Sequence, residues 1–314
     1  MINELLRRFK GSYALYNLLK AKELQHIKEQ YDKLGLKKKY FEPVSSADFQ
    51  HLESESPWLD AGDSAVLLPK SKDFQSLPKN VQHAMLSWSE KGYAIIENFI
   101  SATEVEKING EIDDLVAQKK VNWGYQNKIM FAFEQLDCVR KIGENETLKK
   151  ALNTLLGREV RLFQSINFLK GSEQATHSDT VHMTTFPLGF MIAVWVALED
   201  ISLENGPLHY YEGSHRLPYI LNKDYEHGGS QWWIGKDAYP KYEQHIAKVV
   251  EKNELEKKVF LAKKGDILIW HANLLHGGEP QLDKEMSRKS MVFHYYAKNV
   301  ACFHEISQRP AFIK

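Results

Sequence analysis

The sequence predicts a mixed α+β fold in which a β-barrel core follows an N-terminal helical layer. Two patterns predict it. Helical periodicity is concentrated before residue 157. Beyond that point, short apolar runs alternate with Gly, Pro, Asn and Asp turns, as in a sandwich or barrel. The 7 Trp, 14 Tyr and 15 Phe suit a β-rich core or an aromatic-lined pocket.

Residues 2–34 read as helix, because Leu5, Leu6, Phe9, Tyr13, Tyr16 and Leu19 recur at three- and four-residue spacings. Such a helix packs on the domain. Arg7, Arg8 and Lys10 leave a second reading, a surface helix for a membrane or a partner, while Glu23, Glu29 and Asp32 favour packing. Lys37-Lys38-Lys39 reads as a solvated turn. From Pro43 to Pro78 the periodicity weakens, marking a segment wrapped over the surface. Residues 1–78 are therefore expected to pack as an extension on a domain of residues 79–314, the whole forming one unit.

A helix over 79–91 and a strand over 93–96 come next. Ser101-Ala102-Thr103-Glu104 is a capping box opening a helix with Val105, Ile108, Ile112, Leu115 and Val116 on its apolar face. The aromatic stretch Trp123 to Phe133 lines a cavity or joins the core, and a helix is expected over 146–156. Strands are expected within 158–170, 189–198, 208–211, 258–261, 267–270 and 289–297. Asn205-Gly206-Pro207 is a strong turn signal. Residues 217–240, with Trp232, Trp233 and Tyr239, form a loop placed as a lid or a packed decoration. A helix over 241–254 follows it.

The 314 residues can bury a sizeable core. Lys+Arg and Asp+Glu balance at 41 each, so no global charge points to nucleic acid. Two cysteines, Cys138 and Cys302, exclude a disulfide framework and a Cys-based zinc site as organising features. A reducing, cytoplasmic location is the simplest reading. No apolar run reaches the roughly 18 residues of a membrane span.

The chemistry starts at Thr176-His177-Ser178-Asp179. In an extended stretch, His177 and Asp179 share one face. His276, in Leu274-Leu275-His276-Gly277-Gly278, supplies a third ligand from another strand, where small residues leave room around the imidazole. Two histidines and a carboxylate with open metal positions describe a non-haem iron(II) oxygenase site. Arg288 offers a fixed, bidentate fork for a dicarboxylate, and Ser290 faces the same way. His182, His209, His215, His271 and His294 read as structural histidines, although His294 is in phase with Arg288 and Ser290. No phosphate loop, Ser-His-Asp order or basic-aromatic nucleic-acid face is visible.

This combination resembles the phytanoyl-CoA dioxygenase family, a branch of the iron(II)/2-oxoglutarate oxygenases, from Gly92 to about Lys298. The motifs run in the family's order. They are Gly92-Tyr93-Ala94-Ile95-Ile96-Glu97-Asn98-Phe99, Gln164 to Lys170, Thr176-His177-Ser178-Asp179, Trp195 to Asp200, Asn205-Gly206-Pro207-Leu208 and Glu212-Gly213-Ser214-His215. Gly265-Asp266, His271, Leu275-His276-Gly277 and Arg288 close the series. Ser178 stands where Gln is common and Glu212 where Pro is frequent.

The resemblance implies a double-stranded β-helix (jelly-roll, cupin-like) core with Fe(II) on His177, Asp179 and His276. It implies 2-oxoglutarate as co-substrate, its far carboxylate on Arg288 and its pocket walled by Trp195 and Ile166. Asn167 or Lys128 would donate to a carboxylate. O2 would be the oxidant and succinate and CO2 the products, with a small-molecule substrate hydroxylated. Halogenases on this scaffold replace the carboxylate ligand by a small residue, so Asp179 favours hydroxylation; desaturation and epimerisation share the same ligands. Two other readings stand beside this one: a zinc-dependent cupin-type hydrolase on the same three ligands, and a catalytically silent barrel that binds or senses a small ligand.

Overall fold

The computed structural model describes residues 5, 7–121 and 128–312. Leu6 of the predicted first helix and Trp123 to Asn127 of the aromatic stretch lie outside the described residues. The strands are β1 (Tyr93–Ile96), β2 (Ile129–Met130), β3 (Val160–Phe168), β4 (Thr184–Phe186), β5 (Met191–Ala197) and β6 (Leu208–Tyr211). After them come β7 (Lys257–Phe260), β8 (Ile267–His271), β9 (His276–Gly278), β10 (Ser290–Ala297), β11 (Ala301–His304) and β12 (Arg309–Pro310). All pairings are antiparallel. They form a six-stranded sheet of order β1-β8-β5-β10-β3-β2 and two three-stranded sheets, β7-β6-β9 and β12-β11-β4.

The six-stranded sheet faces β7-β6-β9 through aromatic contacts. Trp195 of β5 meets Phe260 at 5.8 Å, Tyr93 of β1 meets Tyr210 at 4.6 Å, and Trp270 of β8 meets His276 at 4.7 Å between ring centroids. This is the jelly-roll core: two sheets packed face to face. The predicted barrel is not closed by hydrogen bonds, since the two sheets share no strand.

Helices cover the outer face of the large sheet. Ser101 caps Ala102–Ala117, accepting from Glu104 N–H while the Glu104 carboxylate accepts from Ser101 N–H, an arrangement worth about 1 kcal/mol. Val105, Ile108, Ile112 and Leu115 are buried as the spacing predicts, each contributing about 1.5–3 kcal/mol when fully removed from water. Glu146–Leu156 lies where the periodicity places it.

The first predicted helix is broken. Lys10–Leu18 and Gln25–Leu34 are separate, and only the second packs as expected, with Leu24, Ile27 and Tyr31 against Phe49, Phe186 and Phe303. In Lys10–Leu18 the buried residues are Lys10 and Asn17, while Leu15, Tyr16 and Leu18 are exposed, as is Leu19 after it. The segment read as irregular holds two short helices, Ser64–Leu67 and Lys72–Gln75. The 79–91 helix divides into Lys79–Met85 and Trp88–Lys91. No helix among the described residues is long and apolar enough to cross a membrane.

Candidate metal centre

Backbone pairing fixes the two histidines. His177 donates its N–H to the His276 carbonyl and His276 donates back to the His177 carbonyl, both at 2.9 Å, which makes the pair one antiparallel bridge. The expected strand through 176–179 is therefore a single rung. Beyond it the chain turns, and Asp179 opens a short 3₁₀ turn, Asp179–Val181. The turn is pinned by Ser178 N–H donating to the Tyr242 hydroxyl at 2.9 Å and by Thr180 donating to the Ala272 carbonyl.

The three side chains converge. One ligand atom from each of His177, Asp179 and His276 lies within 4.8 Å of the others. Asp179 Oδ1 is 3.8 Å from His177 Nε2 and 3.7 Å from His276 Nε2. Each imidazole has its Nδ1 at 2.9 Å from the carbonyl two residues earlier, Ala175 for His177 and Leu274 for His276. Donation there fixes the tautomer and leaves the Nε2 lone pair for a metal. Burial, then the neighbouring His276, holds His177 well below the ordinary imidazole range, so it stays neutral as a ligand must.

The other carboxylate oxygen is also oriented. Trp270 donates its indole N–H to Asp179 Oδ2 at 2.7 Å, and His294 Nε2 lies 3.8 Å from the same oxygen. Gln174 Nε2 donates to Tyr239 Oη at 3.2 Å and lies 3.2 Å from His177 Nε2, whose lone pair it would have to yield to a bound metal. Tyr239 in turn lies 3.5 Å from His182 Nε2. These side chains surround His177, whose ring centroid is 5.7 Å from that of His182.

Arg288, only 2% exposed, lies two residues before β10, the strand that brings His294 to Asp179. Its Nη1 donates to Ser290 Oγ at 2.6 Å, and the guanidinium stacks 5.0 Å from the Trp195 ring. Its Nε and the Trp195 indole N–H have no partner among the described residues. Burial pushes the guanidinium pKa down to about 10. A buried cation with an idle donor beside a second idle donor has the chemistry to receive an anion. Lys128 borders the same space: its Nζ donates to Gln174 Oε1 at 3.0 Å and stands 5.6 Å from the Phe168 ring.

Register decides the rest. Ser290, Val292 and His294 of β10 pair with Phe168, Ile166 and Gln164 of β3, and Val292 pairs with Trp195 of β5. Paired residues share a face, so Ile166 and Trp195 belong to the Arg288 side. Asn167 pairs with Met291 and Ile129 and lies on the opposite face, toward the helices. It is not brought to the anion receptor, because adjacent strand residues point opposite ways. A shift in register between His294 and Tyr295 sets this phase: Val160 and Leu162 are buried before it, Ser165 and Asn167 after it.

The small residues after His276 do not make room for the imidazole. A Cβ on Gly277 would sit 2.7 Å from both the Gln174 carbonyl and the His209 ring, so the glycine admits those two groups. His271 and His215 cluster elsewhere, 5.3 Å apart, with Asp60 at 3.3 Å from His271. Sequence reasoning missed Trp270, whose only signal is its place in a strand beside the second histidine motif. It also missed Gln174, which no motif marks.

The sequence profile of the phytanoyl-CoA dioxygenase (PhyH) family matches residues 88–290, more than half of the chain. Phytanoyl-CoA dioxygenase domain-containing protein 1 of Bos taurus is 26% identical over 183 residues, covering 41% of this chain and 63% of its own length. A homologue of that protein in Caenorhabditis briggsae is 23% identical over 271 residues, covering 68% and 89%. The chain thus spans under two thirds of the bovine relative. Among solved structures, the non-heme alpha ketoglutarate dependent carbocyclase SnoK superposes with TM-score 0.57 at 18% identity, over 74% of this chain and 89% of its own. EctD from S. alaskensis, with 2-oxoglutarate and 5-hydroxyectoine, gives TM-score 0.55 at 21% identity, over 81% and 86%. Both have the same fold.

Proposed function

We propose that this chain, which belongs to the phytanoyl-CoA dioxygenase family, is an Fe(II)- and 2-oxoglutarate-dependent dioxygenase that hydroxylates a small molecule and releases succinate and CO2. The observation that carries the reading is the buried cluster of three metal-ligand atoms, from two histidines and one aspartate, within 4.8 Å of one another. The donor set fits iron(II): two imidazoles and one carboxylate, leaving positions for a co-substrate and oxygen. His177, Asp179 and His276 would hold the metal, whose redox chemistry with O2 and 2-oxoglutarate supplies the oxidising power for attack on a C–H bond.

The residues of this chain bind, orient and shield. Arg288 and Ser290 would receive the far carboxylate of 2-oxoglutarate against the Trp195 and Ile166 wall, with Lys128 at the near side. Trp270 holds Asp179 in one orientation through its 2.7 Å hydrogen bond. Tyr239 and Gln174 border the substrate side and limit water access. The carboxylate of Asp179 favours hydroxylation over halide transfer. Residues 79–314 would form the catalytic domain and residues 1–78 an extension of it. The unpaired, buried thiols of Cys138 and Cys302 support a reducing compartment, the cytoplasm being the simplest.

The test is anaerobic loading with Fe(II) and 2-oxoglutarate, then succinate release on oxygen exposure across a metabolite panel. Asp179→Ala is expected to abolish substrate-coupled release. Coupled release that persists in this variant, or hydrolysis supported by zinc without 2-oxoglutarate, would reject the proposal.

A further inference from the structure

The helix Lys10–Leu18 is inside out. Its buried residues, Lys10 and Asn17, are polar and share one face seven positions apart, while Leu15, Leu18 and the following Leu19 form an exposed stripe at i, i+3, i+4. Leu15 is 64% and Leu19 77% exposed. Of the 11 large hydrophobic side chains exposed among the described residues, five (Leu5, Leu15, Tyr16, Leu18 and Leu19) fall within 15 consecutive positions. A sixth, Trp232, stands at the end of the same helix, where its carbonyl accepts from Lys10 N–H. Scattered apolar residues need no explanation; a stripe does.

The charges say what covers it. From residue 5 to residue 22 every charged side chain is basic: Arg7, Arg8, Lys10, Lys20 and Lys22. Lys10 and Arg8 are turned inward, donating to the Ser230 and Ile234 carbonyls, and Lys20 pairs with Glu23. Arg7 and Lys22 are exposed and flank the leucine stripe in sequence. Leucines and a tryptophan framed by arginine and lysine have the composition of a helix that lies in a bilayer interface. A second copy fits less well, because a twofold contact would set this basic patch against itself.

We propose that the Lys10–Leu19 face, with Trp232 beside it, docks on an anionic lipid surface. The docking point is mechanically tied to the metal centre. Phe9 bridges Trp233, with rings 5.1 Å apart, and five residues beyond Ile234 Tyr239 reaches Gln174 and His182. A protein seated this way would hold the Tyr239 border of the site close to the membrane.

The experiment is flotation of the full-length chain with phosphatidylcholine vesicles containing phosphatidylserine, against phosphatidylcholine alone. Binding is expected only to the anionic vesicles and is expected to fall at high salt. Leu15→Ser, Leu18→Ser and Leu19→Ser together should weaken it about a hundredfold through lost apolar burial. Arg7→Gln and Lys22→Gln should each cost about fivefold. The exposed positions leave folding intact, checked by circular dichroism. Absence of flotation, equal binding to neutral vesicles, or indifference to the triple substitution would overturn the proposal. So would a dimer in light scattering that the triple variant converts to monomer, which assigns the stripe to a second copy.

Discussion

Replacing Arg288 by Met separates stability from binding. In the protein alone the guanidinium is a liability: it is 2% exposed, its Nε is unpaired, and no ion pair among the described residues includes it. Burial depresses its pKa to about 10. At neutral pH the group is charged in both folded and unfolded states, so this depression corresponds to about 3 kcal/mol withheld from folding. Methionine fills similar space without charge, and recovering a third of that amount raises Tm by about 1–2 °C in a chain of 314 residues. The same change removes the partner of a carboxylate, at about 2–5 kcal/mol, or about thirtyfold to several-thousandfold in Kd for 2-oxoglutarate. Differential scanning fluorimetry of the metal-free protein reads the first effect. Anaerobic calorimetry of 2-oxoglutarate binding to the Fe(II)-loaded protein reads the second. Unchanged 2-oxoglutarate affinity, or a melting point several degrees lower, would refute the reasoning and make Arg288 a structural residue.

Trp270→Phe keeps the ring and deletes the donor to Asp179, so Fe(II) affinity is expected to fall about 10- to 100-fold with the three ligands in place; a chelator-competition titration that finds no change removes Trp270 from this role. Stability should also depend on pH through buried imidazoles far from the metal ligands in sequence. Burial lowers His26 to about 4 and His215 to about 3. Their folded pKa values lie below the unfolded one, so the stability they allow is complete above about pH 6.5 and is lost as pH falls toward 4. At pH 5.5 each withdraws about 1 kcal/mol. Thermal melts of the metal-free protein that stay flat from pH 7 to about 5 would contradict this.

The chemistry was legible because it sits in contiguous motifs. The convergence of His177, Asp179 and His276 could be read from residue type and spacing, and the pairing of Arg288 with Ser290 from strand phase. What was not legible depends on register. Ile166 and Asn167 are neighbours in one motif, yet a shift opposite His294 and Tyr295 decides which of them faces the guanidinium. Trp270 reaches Asp179 from 91 residues away, and no local pattern reports such a contact. The helices at 102–117 and 146–156 followed from capping and periodicity. The first helix did not, because the apolar spacing of Leu15, Tyr16 and Leu19 says that a face exists and not that it turns toward the core.

The reciprocal hydrogen bonds between His177 and His276 have a consequence for how metal enters. Both imidazoles are mounted on one rung of protein backbone, so their spacing is an outcome of chain pairing and exists before any ion arrives. A metal bound by these two imidazoles would therefore meet ligands spaced by the backbone itself, and a chelated sample is expected to keep its circular dichroism spectrum.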